Sequence, residues 1–288
     1  MNPRLRALGR LLLFVLFALV LLPAKRRWLY ATIHGSDETV GYLIDHAIEL
    51  AAVLIYGWIA AAAERRPFAA FGLSWRQALR SSFWLGAGVG LVSLTVLVLA
   101  LQAAGALRIS PPSGPALAAA GFGVGYAVLF ALLALREEYL YRGVGLFTLT
   151  LVVGFWPAAV ASAAWFAGSH AGSASENAIG LANVAIYGML ACLVLRRTGS
   201  LWMPIGFHAS WNWGQTYLFG VSDSGHPAPP GHLLTATVPP GAPAWLSGGS
   251  VGPEGSLLCA VILVLLWIAC ARLLRGVRYP SLETRRGS

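Results

Sequence analysis

Charge is what this sequence has least of. Only 11% of its 288 residues are Asp, Glu, Lys or Arg, where an ordinary soluble domain has about 25%. So little charge cannot clothe a soluble globule of this length. Disorder is excluded as well, because 57% of the chain is hydrophobic and so apolar a chain collapses. Cysteine is scarce: Cys192, Cys259 and Cys270 stand far apart in apolar runs, which fits neither a disulfide framework nor a Cys-based metal site. The glycines and prolines follow no period, so collagen-like repeats are out. Lysine occurs once, at Lys25, beside 19 arginines. The net charge of +9 does not point to nucleic acid, because the arginines gather at the ends of apolar runs, as they do in membrane proteins. The composition therefore predicts an all-α polytopic membrane protein whose first partner is the lipid bilayer.

A bilayer core about 30 Å thick takes roughly 20 helical residues. Apolar runs near that length lie at 8–24, 42–63, 82–105, 116–135, 144–169, 177–195, 200–220 and 256–274. Backbone polar groups must be satisfied within lipid, so the runs predict a bundle of about eight transmembrane helices. The first run follows Arg4, Arg6 and Arg10 like a signal peptide. It ends in Pro23, Ala24, Lys25, Arg26 and Arg27 without a small-residue cleavage pattern, and reads as a retained anchor. Arg65, Arg66, Arg76 and Arg80, then Arg196 and Arg197, then Arg272, Arg275 and Arg278 fall on one side if the spans alternate. That side is expected to be cytoplasmic, with both termini on it, and the Gly/Pro-rich segment 221–255 on the other. Lys25, Arg26 and Arg27 run against this scheme. Trp28, Trp75, Trp202 and Trp245 sit at run ends, as interfacial anchors do.

Charge inside such spans is costly and marks function by default. Between Pro115 and Glu176 the only charged side chains are Arg136, Glu137, Glu138 and Arg142. On a helix, Glu138 and Arg142 share a face, acid before base. Glu137 lies about 100° away with no obvious cation on its own face. The alternative is a solvated interfacial loop. Two further pairs have a four-residue spacing, Phe166 with His170 and His208 with Asn212. A lone intramembrane His usually bonds one helix to another. Here Glu, two His and an Asn together provide a general base, its partner and two donors, the set that activates a water and stabilises an oxyanion. Asp45, His46 and Glu49 in the second run are expected to reach an interface or a neighbouring helix.

Glu137-Glu138-x-x-x-Arg142, Phe166-x-x-x-His170 and His208-x-x-x-Asn212, in that order, resemble the three motifs of the CPBP family. These are the CAAX-protease, bacteriocin-processing and abortive-infection membrane proteins, related to the Ras-converting CAAX endopeptidase. Arg142-Gly143, Thr198-Gly199-Ser200-Leu201-Trp202 and Phe71-Gly72-Leu73 are similar too, while Tyr141 stands where the family often has Phe. The resemblance is close over 116–215, leaving 1–115 as N-terminal helices and 216–288 as a loop, last helix and tail. It implies an intramembrane endopeptidase acting on a peptide or membrane-protein substrate. Glu137 would activate water, His170 would assist, His208 and Asn212 would bind the oxyanion, and Glu138, Arg142 and Phe166 would support the site. The matched motif implies a metal-independent glutamate mechanism. Zinc held by Glu137, His170 and His208 is the alternative, although the His-Glu-x-x-His string of common zinc proteases is missing. The rival class is a transporter or scaffold with buried polar residues; no second copy of the motifs suggests the repeated halves of a transporter. The Arg/Ala/Gly-rich composition looks bacterial, which predicts a cytoplasmic-membrane location. A shared site requires the fourth helix to continue past Arg142 toward Leu149 and the fifth to begin near Pro157.

Overall fold

Helix formation follows the apolar runs, and glycines decide where the runs break. The computed structural model describes residues 3–21, 38–111, 116–172 and 175–280; Lys25, Arg26, Arg27 and Trp28 lie outside them. Helix α1 covers Pro3–Leu16 and continues as a π turn to Leu21. Next come α2 (Glu38–Glu64), α3 (Ser81–Ala103) and α4 (Ala116–Arg142). The chain then makes α5 (Val144–Val153), α6 (Phe155–His170) and α7 (Ala178–Thr198). Helix α8 (Trp202–Trp213) extends through a π turn, Gly214–Phe219. A single turn, α9 (Ala244–Ser247), and α10 (Leu257–Leu273) complete the described helices. Two short strands, β1 (Arg108–Ser110) and β2 (Thr235–Thr237), pair antiparallel with Ile109 opposite Ala236. That ladder ties the 220–256 segment to the chain leaving α3.

One expectation needs correction. The run 144–169 is not one span. Gly143 ends α4 with a non-helical backbone (φ −81°, ψ −118°), so α4 does not continue toward Leu149. Gly154 breaks the run again at φ +84°, a conformation that L side chains rarely adopt. The chain thus turns aside as α5 and starts afresh as α6 two residues before Pro157. Among the described residues, 44–64, 81–103 and 178–198 are long and apolar enough to cross a membrane. The stretches 7–20 and 257–273 are shorter apolar helices. The outer surface is nevertheless lipid-like. Leu12, Trp58, Val92, Val124, Val160 and Leu265 all project outward and are more than half exposed, a broad apolar exterior that water would not tolerate. The chain is an integral membrane protein.

Two packing features place the later helices. Helix α3 crosses α8 almost backbone to backbone: a Cβ at Gly86 or Gly90 would collide with the carbonyls of Met203 or Phe207, and one at Gly206 with that of Phe83. At one end of the bundle, Leu201 N–H donates to Gly72 O, Arg278 N–H to Arg196 O, and an Arg197 guanidinium N–H to Gly276 O. The three arginine-rich stretches therefore share that end. Trp202 is not an interfacial anchor: it is 4% exposed, and its indole N–H donates to Ser74 O at 2.7 Å. The string after Gly199 is the start of α8, and packing against the α2–α3 linker wins over the interface there.

Candidate active site

Helix α4 carries its charges in its last two turns, so Glu138 and Arg142 point the same way. Both are fully buried, with Arg142 Nη1 3.3 Å from Glu138 Oε2. The guanidinium lies 4.2 Å from the centroid of the Phe166 ring, which covers one of its faces. Gly188 of α7 makes room for it: a Cβ there would sit 3.1 Å from Arg142 Nη2 and 3.0 Å from Ala163 Cβ. Glu138 is also an acceptor. Its Oε1 receives the Tyr187 hydroxyl at 2.9 Å and meets His208 Nδ1 at 3.0 Å. One buried carboxylate thereby joins α4, α7 and α8, and it fixes the His208 ring so that Nε2 faces away from it.

On that other side stands Glu137. Its Oε2 is 3.8 Å from His208 Nε2, and its Oε1 pairs with Arg136. The same arginine pairs with Glu49 of α2. Glu137 therefore has a cation after all, supplied by the residue just before it, whose long side chain bends across the helix surface. Glu49 reaches a neighbouring helix, as its place in the second run suggested.

Helix α6 brings the second motif. Ser162 Oγ donates to Tyr141 O at 2.8 Å, and the Tyr141 ring meets Phe166 at 4.9 Å, so α6 is clamped to the end of α4. Phe166 stands edge-on to His170 at 4.7 Å and packs against the His208 ring at 6.3 Å. His170 Nδ1 lies 2.9 Å from Phe166 O, so Nε2 is the nitrogen free to act elsewhere. His170, His208 and Asn212 line one cavity together with Phe166 and Tyr187. Glu137 reaches that group through His208. Among the described residues, no three His, Cys, Asp or Glu side chains group closely enough to hold a metal ion.

Residues 119–214 match the family model for the type II CAAX prenyl endopeptidase, Rce1-like. Over that stretch the chain is similar to the Rce1-like family. The match covers a third of the 288 residues and contains Glu137, Glu138, Arg142, Phe166, His170, His208 and Asn212. No curated protein and no solved structure matches the chain. The Rce1-like family is one of CAAX-protease-type peptidases, whose substrates are peptides in a membrane context.

Several site residues carry no motif and were missed in the sequence. Tyr187 holds Glu138, and Asn183, one turn earlier on α7, lines the same cavity. Their four-residue spacing repeats that of the other pairs and was the available signal. Glu254 also lines the cavity. It arrives from the 220–256 segment, far along the chain and with no periodicity to betray it.

Proposed function

We propose that the chain is an intramembrane endopeptidase that hydrolyses a peptide bond with a glutamate-activated water. The supporting observation is the gap between Glu137 Oε2 and His208 Nε2, 3.8 Å. It is too long for a direct hydrogen bond and short enough for one water to touch both atoms at about 2.8 Å. In this mechanism Glu137 takes the water proton through Oε2 while Arg136 holds Oε1, and His170 assists from the far side of Phe166. The water oxygen attacks the carbonyl carbon, and the carbonyl oxygen becomes an oxyanion. Asn212 Nδ2 and His208 Nε2, one helical turn apart, donate to it, His208 acting as the imidazolium whose Nδ1–H is held by Glu138. Glu137 then returns the proton to the leaving amine. Glu138, Arg142 and Tyr187 do not touch the reacting atoms; they position His208.

Glutamate chemistry is preferred to a zinc site because a catalytic zinc takes three converging protein ligands, and Glu137, His170 and His208 do not converge in that way. The bilayer location is taken to be a bacterial cytoplasmic membrane, with the arginine-rich end of the bundle and both termini on the cytoplasmic side. The decisive experiment is Glu137→Gln, which keeps shape but removes the base. Purified protein in detergent should lose cleavage of a reporter peptide library by orders of magnitude while keeping its yield and melting temperature. Activity retained within a few-fold would remove Glu137 from the mechanism.

A further inference from the structure

The cavity that holds His170, His208 and Asn212 has a second wall with a different chemistry. Asn183 is 2% exposed and lines the cavity. Its Nδ2 donates to Glu254 O at 2.7 Å and to Ser256 O at 2.9 Å. Those two acceptors fix which end of the amide is which, so Oδ1 is an acceptor, and it has no hydrogen-bond partner. A buried acceptor without a donor is costly and calls for one. Glu254 lines the same cavity and accepts from Ser224 N–H. Asp223, the residue before Ser224, accepts from Gln215 Nε2 at 3.1 Å. Glu176, just before α7, uses Oε1 for the Asn177 N–H and leaves a buried Oε2 unpartnered.

The Glu254 carboxylate and the orphaned carbonyl oxygen of Asn183 therefore belong to residues of this cavity wall, with Asp223 and Glu176 as charged neighbours of Glu254 behind it. The sequence has no lysine or arginine in 143–195 or 198–271 to neutralise them. Burial holds the Glu254 carboxyl above its usual range, and burial with the neighbouring Glu254 charge does the same for Asp223. Both groups lie in the 220–256 segment, outside the spans. A metal ion is a poor occupant, since no metal-sized grouping of these side chains exists among the described residues. What suits the wall is an organic cation that brings several N–H donors on one centre.

We propose that Glu254 and Asn183 Oδ1, backed by Asp223 and Glu176, form a subsite for a cationic group of the peptide substrate. That group is a guanidinium or ammonium side chain near the scissile bond, or the free amino terminus of the peptide. This rests on the peptidase reading for the word substrate, and its test separates the two. The probes are short Leu/Ala peptides with one arginine moved through successive positions, each with a citrulline twin, and each with a free or acetylated amino terminus. Their binding to full-length Glu137→Gln protein in detergent is followed by fluorescence anisotropy, so that no probe is consumed. At one position arginine should bind at least about tenfold more tightly than citrulline. Acetylation rather than citrulline should cause that loss if the amino terminus is the cation. Adding Glu254→Gln, which keeps the Ser224 bond, should reduce the preference to within about twofold. Equal binding of every pair, no binding of any probe, or a preference untouched by both Glu254→Gln and Asp223→Asn overturns the subsite. Selective binding without cleavage by the unsubstituted protein refutes the peptidase reading alone.

Discussion

Glu138→Gln is nearly isosteric, so it changes charge and little else. Glu138 Oε1 serves Tyr187 at 2.9 Å and His208 at 3.0 Å, and a glutamine carbonyl oxygen can still serve both. The loss falls on Oε2, which faces Arg142 Nη1 at 3.3 Å. An amide NH2 in that position confronts the guanidinium with a donor instead of a negative charge. Arg142 is fully buried and cannot turn to water. The Phe166 face at 4.2 Å offers a cation–π contact worth about 2 kcal/mol, and it is present before and after the change. Breaking one side of such a pair costs about 3–5 kcal/mol. Replacing both partners by apolar or neutral groups is far milder, so Glu138→Gln combined with Arg142→Met should regain at least about 2 kcal/mol. Equilibrium unfolding in mixed micelles, followed by tryptophan fluorescence, measures both variants. The reasoning is refuted if Glu138→Gln lies within about 0.5 kcal/mol of the unsubstituted protein, the range of a surface change. It is refuted equally if the double variant is no more stable than the single one.

His208→Ala and Asn212→Ala should each reduce turnover by about 10²–10³. Their combination should cost less than the product if both serve one oxyanion, whereas strict multiplication would assign them separate tasks. Gly90→Leu forces a side chain against Phe207 O and Ser210 of α8. It should cost about 1–3 kcal/mol in stability and slow cleavage with it, whereas Val92→Ala on the outer face of the same helix should leave cleavage unchanged. Chelators should leave cleavage intact; inhibition that stoichiometric zinc reverses would replace the glutamate mechanism by a metal one.

Local spacing made much of the site legible. Glu138 with Arg142, Phe166 with His170 and His208 with Asn212 are pairs one turn apart within one helix, and a period of 3.6 is enough to find them. Contacts between helices left no such trace. The arginine that serves Glu137 also serves Glu49, 87 residues away from it in sequence, and nothing in the spacing links those two. The break at Gly154 was hidden because glycine is ordinary inside membrane helices, and only its positive φ distinguishes it. By its Gly and Pro content, with no Lys or Arg, the segment 221–255 is predicted to be an outer loop. Its backbone folds back through β2 and the Asn183 bonds, and one of its carboxylates ends in the cavity. Tertiary structure places Glu254, and hydropathy alone carries no information about it.

The crossing of α3 and α8 has a further consequence for precision. Where two helices meet through side chains, each contact can give a little by changing rotamer. At Gly86 and Gly206 main-chain atoms face the glycine, and at Gly90 the Phe207 carbonyl does so beside the short Ser210 hydroxyl, so little that is soft lies between the two backbones. The height of His208 in the membrane, relative to α3, is thus fixed by bond lengths and atomic radii. The crossing works as a hard bearing beneath the helix that carries His208, and variation on the lipid-facing side of α3 has no compressible layer through which to disturb it.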